Sequence, residues 1–185
     1  MFETTPIPDL LIHRPTRHGD ARGFFAETWN KAAFAAEGLT HDWVQDNHSR
    51  SAEAGTLRGL HYQAPPFAQA KLVRCLVGAI WDVAVDVRPG SATYGHHFGL
   101  ELSSETGAQL LVPRGFLHGF LTLTPGAEVA YKVDAPYNRE ADGGVAWDDP
   151  ELAIPWPWEG APVLSAKDAA APRMADWENP FGGAS

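Results

Sequence analysis

Arg58 and His61 stand three residues apart in a strand-like stretch, "GTLRGLHYQ", residues 55–63. Side chains of a regular strand alternate between faces, so residues three apart point in opposite directions. A glycine inside a strand often marks a bulge, which shifts the facing by one residue. Gly59 therefore predicts a bulge that directs both the guanidinium and the imidazole toward one cavity.

A second stretch, "PRGFLHGF", residues 113–120, repeats the theme of proline, glycine and then histidine. Its turn leads into a strand that carries His118, and Lys71 opens the strand after the one that carries His61. Two histidines and a lysine on neighbouring strands can meet in the mouth of a barrel, where ligands bind. The alternative is that each histidine is a satisfied structural residue of its strand, which is the commoner case.

Polar residues crowd the segment "QDNHS", residues 45–49. Gln45 and Asn47 share one face of the predicted strand. Either they hydrogen-bond a polar ligand, or the segment is an exposed edge. "DARGFFAE" supplies two further charged candidates, Arg22 and Glu27.

The segment "LSAKD" contains Ser165, Lys167 and Asp168. A serine followed three residues later by an acid has the spacing of a capping box, with Asp in place of the usual Glu or Gln. Asp168 is therefore either a helix cap or a member of a site.

These candidates lie in a chain of short strands separated by turns. About ten strands are predicted, and the 15 prolines and 18 glycines are spread between them, as in a sandwich or barrel. One helix, residues 31–37, is expected to begin after Asn30 and to end at Gly38. The proline- and tryptophan-rich end is expected to wrap the surface, with residues 181–185 loose.

Composition excludes several classes of protein. The 185 residues fit one domain, 1–185, and the net charge of −9 argues against a nucleic-acid partner, which requires a basic face. The single cysteine, Cys75, allows no internal disulfide and is expected to be buried and inert. No secretion signal or membrane span is visible, so we expect a cytoplasmic protein without a membrane partner.

A metal site is not predicted. Zinc and iron sites need three or four ligands, and His61 and His118 have no obvious third ligand at close spacing. The adjacent pair His96–His97 faces opposite ways if it lies in a strand.

The chain resembles the dTDP-4-dehydrorhamnose 3,5-epimerase family from about residue 6 to about residue 172. The resemblance rests on eight ordered blocks: "DARGFFAE", "QDNHS", "GTLRGLHYQ", "QAKLVRCLVGAIWDVAVDVRPGSATYG", "PRGFLHGF", "YKVDAPY", "WDDPELAIPWP" and "LSAKD". It implies an all-β, cupin-type double-sheet jelly roll with a few short peripheral helices, and a homodimer. It also implies a nucleotide-linked 4-keto-6-deoxyhexose as substrate, with neither metal nor organic cofactor. The metal-binding HxH pair of other cupins is absent, because Gln63 follows His61 in "GLHYQ".

The resemblance also implies catalytic roles. A ketone at carbon 4 acidifies the hydrogens on carbons 3 and 5, and epimerisation removes such a proton and returns one to the opposite face. His61 resembles the general base and Asp168 its partner, while Tyr131 resembles the proton donor on the far face. Lys71 is expected near the developing enolate oxygen. His118 matches a substrate-contacting residue, and we expect Asp82 to orient one of the two histidines.

The remaining matched positions are expected to bind the substrate. Arg22, Arg58 and Lys167 match positions around the diphosphate, and Glu27, Gln45 and Asn47 match positions that hold base and sugar. Asp46 is counted among the substrate-binding residues, and Tyr137 is expected to stack on the thymine ring. Asp142 stands where the family usually carries Glu, so this contact is expected to differ.

The sequence thus predicts an epimerase that acts on dTDP-4-dehydro-6-deoxy-D-glucose at carbons 3 and 5. Three alternatives are an epimerase of one carbon only, a non-catalytic sugar-binding cupin, and a metal-dependent cupin oxygenase or ketoisomerase. The missing HxH pair opposes the third of these, and the presence of a base, a donor and a lysine opposes the second.

Overall fold

Two antiparallel sheets face each other in the computed structural model of the protein, which describes residues 1–182. In spatial order, the six-stranded sheet contains β1 (Phe2–Thr4), β2 (Leu11–His13), β10 (Gln109–Val112), β7 (Lys71–Val77), β12 (Ala127–Val133) and β5 (Gln45–Ser51). In the same way, the five-stranded sheet contains β13 (Asp142–Gly144), β6 (Leu57–Gln63), β11 (Phe116–Thr122), β8 (Ala79–Asp86) and β9 (His97–Ser103). This architecture confirms the predicted all-β double-sheet jelly roll.

The helical parts are small and peripheral. Helix α1 (Lys31–Ala36) begins after Asn30, whose side chain accepts hydrogen bonds from two backbone amides of the first turn. It ends before Gly38, which has a positive φ of 80°. The predicted helix at residues 31–37 is therefore confirmed to within one residue. Helix α2 (Ala166–Ala169) and two short 3₁₀ turns, Met174–Asp176 and Pro180–Gly182, lie near the end of the chain.

The side chains of strand β8 alternate between the space enclosed by the two sheets and the outer side of the five-stranded sheet. Its even-numbered residues Ile80 and Ala84 pack in the core between the two sheets. The odd-numbered Val83 and Val85 pack on the outer side of the five-stranded sheet, under the end of the chain. Both faces of β8 are therefore buried, and Asp82, which shares the face of Ala84, points into the space between the sheets.

The end of the chain covers the outer face of the five-stranded sheet, as predicted. Trp156, Trp177 and Phe181 pack against the buried residues on that face. Phe181, which was expected to be loose, contacts the ring of Tyr62 with 5.8 Å between ring centroids. Residues 183–185, the rest of the predicted loose tail, lie outside the described residues.

Residues 1–182 form thirteen strands, and three of these were not predicted. They are β1, β3 (Arg17–Asp20) and β13, and they are three or four residues long. β3 pairs only with β4 (Gly23–Ala26), in a hairpin that stands apart from both sheets. Segments such as "RHGD" and "DGG" carry no β-branched residues, so their extended form depends on pairing with a neighbour.

Candidate active site

A bulge in β6 brings Arg58 and His61 to the same face. In the pairing with β11, His118 lies opposite His61 and Phe120 lies opposite Arg58. From His118 to Phe120, β11 advances by two residues, while β6 advances by three between the paired positions. β6 therefore carries one extra residue. Gly59 allows this because its φ is 136° and a Cβ there would lie 2.5 Å from the Cα of Gly119. The predicted irregularity at Gly59 is confirmed.

The bulged strand forms one wall of a cavity of about 230 Å³ between the two sheets, which we call the inner cavity. Side chains from both sheets and from the start of α2 line it: Ser49, Arg58, His61, Lys71, His118, Phe120, Tyr131, Ser165, Lys167 and Asp168. His61 and Tyr131 enter from opposite sheets, so a ligand held between them would present one face to each.

A second cavity of about 220 Å³, the outer cavity, adjoins the first. Four residues line both, namely His61, Lys71, Tyr131 and Lys167. The outer cavity is lined in addition by Gln45, Asn47, Tyr62, Gln63, Gln69, Tyr137 and Asp142. The two cavities form one continuous cleft, and eleven of the fourteen residues predicted for the site line it.

His61 and Asp168 form a hydrogen-bonded pair at the wall of the inner cavity. The Nε2 atom of His61 lies 2.5 Å from Oδ1 of Asp168. Burial favours the neutral carboxyl, but the hydrogen bonds from His61 and Ser165 outweigh it and lower the pKa of Asp168. Asp168 is therefore an ionised acceptor at neutral pH, and Nε2 is the atom of His61 that carries the donated proton. Ser165 caps α2 by accepting a hydrogen bond from the backbone amide of Asp168, whereas the carboxylate of Asp168 lines the cavity.

His118 is paired in the same way with Asp82. Its Nε2 atom lies 2.9 Å and 3.1 Å from the two carboxylate oxygens of Asp82. Both side chains are buried, and burial lowers the pKa of His118 although Asp82 opposes this shift. The expectation that Asp82 orients one of the histidines is confirmed, and the histidine is His118.

Lys71 lies at the junction of the two cavities. Burial disfavours its ammonium form and lowers its pKa to about 8, although the negative charges of Asp82 and Asp142 oppose the shift. The side chain is still mostly protonated at pH 7. It therefore supplies a positive charge in a partly desolvated position, where such a charge interacts strongly with a developing anion.

Tyr131 faces the same space from β12, where it lies opposite Asn47 of β5. Burial raises the pKa of its phenol, and the charge of Asp142 adds to the shift, while Arg58 opposes it. The hydroxyl group therefore keeps its proton at neutral pH and can donate it.

Asp142 connects two residues at the rim of the outer cavity. Its Oδ2 atom lies 2.5 Å from the Nζ atom of Lys167 and accepts a hydrogen bond of 3.1 Å from the hydroxyl of Tyr137. The ring of Tyr137 is 57% exposed, so one face is open to a flat ligand. The shorter side chain of Asp142 thus organises two neighbours.

The structure does not place Asp46 in the cleft of its own chain. β5 pairs with β12 in an unbroken register, so its side chains alternate regularly and only the odd-numbered ones face the cleft. Gln45 and Asn47 do so, and the Nε2 atom of Gln45 donates to Oδ1 of Asn47. Asp46 points to the outer side of the sheet, where it accepts hydrogen bonds of 2.9 Å and 3.1 Å from Lys132.

Arg22 and Glu27 do not reach the cleft of their own chain. Arg22 lies in the turn of the β3–β4 hairpin, is 89% exposed and pairs with Asp20. Glu27 follows the same hairpin and accepts a hydrogen bond from Asn30. Phe24 and Phe25 in strand β4 of the hairpin are 60% and 71% exposed. Within one chain, the prediction that these two residues contribute to the site is therefore not met.

Six residues of the cleft are not among the fourteen predicted for the site, namely Ser49, Tyr62, Gln63, Gln69, Phe120 and Ser165. Strand alternation could have found three of them. Ser49 lies two residues beyond Asn47, and Phe120 lies two residues beyond His118. Gln63 lies two residues beyond His61 and fastens the rim, since its amide bonds the backbone at positions 67, 136 and 138. Each shares a strand face with a predicted residue.

Within residues 1–182, no group of three or more His, Cys, Asp or Glu side chains is arranged to hold a metal ion. In the same part of the chain, no helix is long and apolar enough to span a membrane.

Comparison with known proteins gives a consistent result. Residues 4–176 match the family model described as dTDP-4-dehydrorhamnose 3,5-epimerase. The enzyme of that name from Sinorhizobium fredii is 50% identical over 175 residues, which cover 95% of this chain and 90% of the relative.

Solved structures agree with the sequence matches. The epimerase from Legionella pneumophila, in complex with dTDP-4-keto-L-rhamnose, is 42% identical and superposes with a TM-score of 0.93 over 98% of this chain and 96% of that one. A 3′-monoepimerase from Streptomyces bikiniensis, in complex with dTDP-quinovose, is 34% identical with a TM-score of 0.86, over 92% of this chain and 86% of that one. The fold is thus common to enzymes that invert one carbon and enzymes that invert two.

Proposed function

The chain belongs to the dTDP-4-dehydrorhamnose 3,5-epimerase family of isomerases, and on this basis we propose that it converts dTDP-4-dehydro-6-deoxy-D-glucose to dTDP-4-dehydro-L-rhamnose. The observation that carries the proposal is the entry of His61 and Tyr131 into one cavity from opposite sheets. Inversion of a carbon requires a proton acceptor on one face of the sugar and a proton donor on the other.

His61 is the general base. Its Nε2–H donates to Asp168, so Nδ1 is the unprotonated ring atom and takes the proton from carbon 3 or carbon 5. The carboxylate stabilises the imidazolium that forms and holds the ring in one tautomer. The 2.5 Å contact between the two residues supports this role.

Lys71 stabilises the enolate. Removal of the proton moves negative charge onto the oxygen at carbon 4, and an ammonium group in a partly dry site lowers the free energy of that state. The lowered pKa of about 8 also makes Lys71 a better hydrogen-bond donor than an exposed lysine. His118, held by Asp82, contacts the substrate from the side of the cavity that carries His61.

Tyr131 returns a proton to the opposite face. Its raised pKa keeps the phenol protonated until the enolate is formed, and the enolate is basic enough to take the proton. The result is a ketone of inverted configuration, with a protonated His61 and a tyrosinate that regain their starting states by exchange with water.

The nucleotide is bound by residues of both cavities. Arg58 and Lys167 line the inner cavity and offer charge-assisted hydrogen bonds to the diphosphate. The exposed ring of Tyr137 stacks on the base, and Gln45 and Asn47 bond the polar groups of base and sugar. A locally basic cleft therefore binds an anion although the protein carries a net charge of −9.

The protein acts as a homodimer, in which the β3–β4 hairpin of one protomer reaches the cleft of its partner. Two features support this arrangement. Phe24 and Phe25 are large apolar side chains that a second protomer would cover. Arg22 and Glu27 match substrate-binding positions by resemblance but lie away from the cleft of their own chain.

We also infer that residues 1–185 form one domain and that the protein resides in the cytoplasm. The two facing sheets share a continuous core, which supports a single domain. The thiol of Cys75 is free and buried, in agreement with a reducing compartment.

Incubation with dTDP-4-dehydro-6-deoxy-D-glucose in deuterated water tests the proposed function. Proton NMR should show deuterium at carbons 3 and 5 and the coupling constants of the L-rhamno product. Absence of label at both carbons would reject the proposal.

The alternative with support is an epimerase of one carbon, because the 3′-monoepimerase from Streptomyces bikiniensis has the same fold. The chain is 50% identical to the 3,5-epimerase from Sinorhizobium fredii but 34% identical to the monoepimerase, which favours inversion at both carbons. Label at carbon 3 alone, with one centre inverted, would establish the alternative.

A further inference from the structure

Ser165 makes two hydrogen bonds to the same residue. Its Oγ atom accepts from the backbone N–H of Asp168 at 3.1 Å and lies 2.8 Å from Oδ2 of the Asp168 side chain. A hydroxyl group has one hydrogen, and a carboxylate oxygen can only accept. The hydrogen of Ser165 therefore points at Oδ2, while one of its lone pairs caps helix α2.

The two oxygens of the Asp168 carboxylate therefore have different partners. Oδ2 is occupied by Ser165, and Oδ1 contacts Nε2 of His61 at 2.5 Å. The Asp168 side chain is 5% exposed, so water has little access to either oxygen. The side-chain torsion that would rotate Oδ1 away from His61 would also break the bond to Ser165.

We propose that Ser165 is a positioning residue for proton abstraction, which acts on His61 through Asp168. This inference rests on the proposed function, since it assigns His61 the role of base. By fixing Asp168, Ser165 holds the proton of His61 on Nε2 and leaves Nδ1 free toward the cavity. A helix cap alone would need only the acceptor atom of Ser165.

Three substitutions separate the two functions of the hydroxyl group. Ser165→Ala removes both the acceptor and the donor. Ser165→Asp keeps a good N-cap acceptor but has no hydrogen to donate to Oδ2. Ser165→Thr keeps both and serves as the conservative rescue. Ser49→Ala, which removes a hydroxyl group from the wall of the same cavity without touching Asp168, is the matched control for the state of His61.

The first readout is the tautomer of His61 in the free protein, measured by ¹⁵N NMR of histidine-labelled samples. The His61 signals are assigned by their loss in His61→Asn. We expect the Nε2–H form in the parent, in Ser165→Thr and in Ser49→Ala, and a mixture with the Nδ1–H form in Ser165→Ala and Ser165→Asp. No substrate is present, so the result does not depend on whether the proposed reaction is correct.

The second readout is kcat at saturating substrate, with the melting temperature measured beside it. We expect Ser165→Ala and Ser165→Asp to lose about tenfold in kcat, by analogy with the 10- to 100-fold effects of losing the outer hydrogen-bond partner of a metal-bound histidine. Ser165→Thr should restore most of the rate. A parental tautomer and parental kcat in Ser165→Ala or in Ser165→Asp would overturn the proposal and leave Ser165 as a helix cap.

Discussion

Arg58 and His61 point into the same cavity although they lie three residues apart in one strand, because β6 carries one more residue than β11 between them. The extra residue places the guanidinium beside the imidazole in a wall that also holds His118. The geometry of the site therefore depends on a backbone feature that contributes no side chain of its own.

The first prediction concerns Gly59. We expect Gly59→Ala to lower the free energy of unfolding by roughly 2 kcal/mol or more, because an L-residue is strained at this φ and the added methyl group overlaps β11. Epimerase activity of the folded fraction should also fall, since relief of the overlap rotates His61 or Arg58 out of the cavity. Urea unfolding and kcat/KM measure the two effects.

Gly160→Ala is the matched control for this change. Gly160 also has a positive φ, 84°, but no atom lies within 4 Å of the position where its Cβ would stand. We expect it to cost about 1 kcal/mol for the backbone conformation alone. Equal losses in the two variants would mean that the close approach of Gly59 to β11 contributes nothing.

Strand and turn patterns predicted ten of the thirteen strands of residues 1–182 and helix α1, whereas the resemblance supplied most of the roles in the site. Asp82 was expected to orient one of the two histidines, and it holds His118. The bulge at Gly59 followed from one glycine between two functional residues. Such features are local, so residue types and spacing are sufficient to reveal them.

Features that depend on residues far apart in the sequence were harder to predict from the sequence. Alternation separates Asp46 from Gln45 and Asn47, but it does not say which face of β5 meets the cleft. The location of Arg22 and Glu27 depends on a hairpin whose strands pair with neither sheet. The pairing of His61 with Asp168 joins residues 107 apart, and only the resemblance brought them together.

The second prediction separates the base from the donor. His61→Asn should reduce both deuterium incorporation and inversion by about 10²- to 10⁴-fold, the usual contribution of a positioned general base. Tyr131→Phe leaves the base intact, so the enolate still forms and His61 returns a deuteron to the original face. That variant should exchange label faster than it inverts. NMR follows both rates in one sample, and inversion by Tyr131→Phe at the parental rate would identify another donor.

The third prediction is an alkaline limit set by Lys71. Its charge is lost as the pH rises through about 8, so kcat/KM should fall in that range. The raised pKa of Tyr131 excludes its ionisation as the cause of a fall near pH 8. Lys71→Arg retains a cation at higher pH, so we expect a lower maximum but a decline displaced to higher pH. A pH profile with the same alkaline limb in both proteins would show that Lys71 does not set it.

The fourth prediction concerns stability in acid. His13 is buried, its ring stacks on Phe2 with 4.6 Å between centroids, and its Nδ1 atom has no hydrogen-bond partner within residues 1–182. Burial lowers the pKa of His13, and the positive N-terminus adds to the shift. The unfolded chain therefore binds a proton more readily than the folded one, so stability is lost as the pH falls below about 6.5.

Substitution of His13 by leucine should remove this dependence. The difference in unfolding free energy between His13→Leu and the parent is expected to grow in favour of the variant from pH 7 to pH 5. Urea titrations over that range measure it. A constant difference would mean that His13 keeps the same proton affinity in both states.

The last prediction tests whether the β3–β4 hairpin serves the partner's cleft. Arg22→Asp reverses a charge at an exposed position, so it should impair diphosphate binding without unfolding the protein. His61→Asn removes the base. Each variant alone should be nearly inactive at substrate concentrations below KM.

If the hairpin acts in trans, a mixed dimer has one cleft with both His61 and Arg22 intact and one cleft with neither. Random re-association from an equal mixture makes half of the dimers mixed, so the mixture should regain about a quarter of the parental activity. If the hairpin acts in cis, every cleft in the mixture lacks one of the two residues and no activity returns. Co-unfolding and refolding of differently tagged variants, followed by the epimerase assay on the doubly tagged dimer, measures the outcome directly. If the doubly tagged dimer is as inactive as the Arg22→Asp and His61→Asn homodimers, then Arg22 acts in the cleft of its own chain or does not belong to the site.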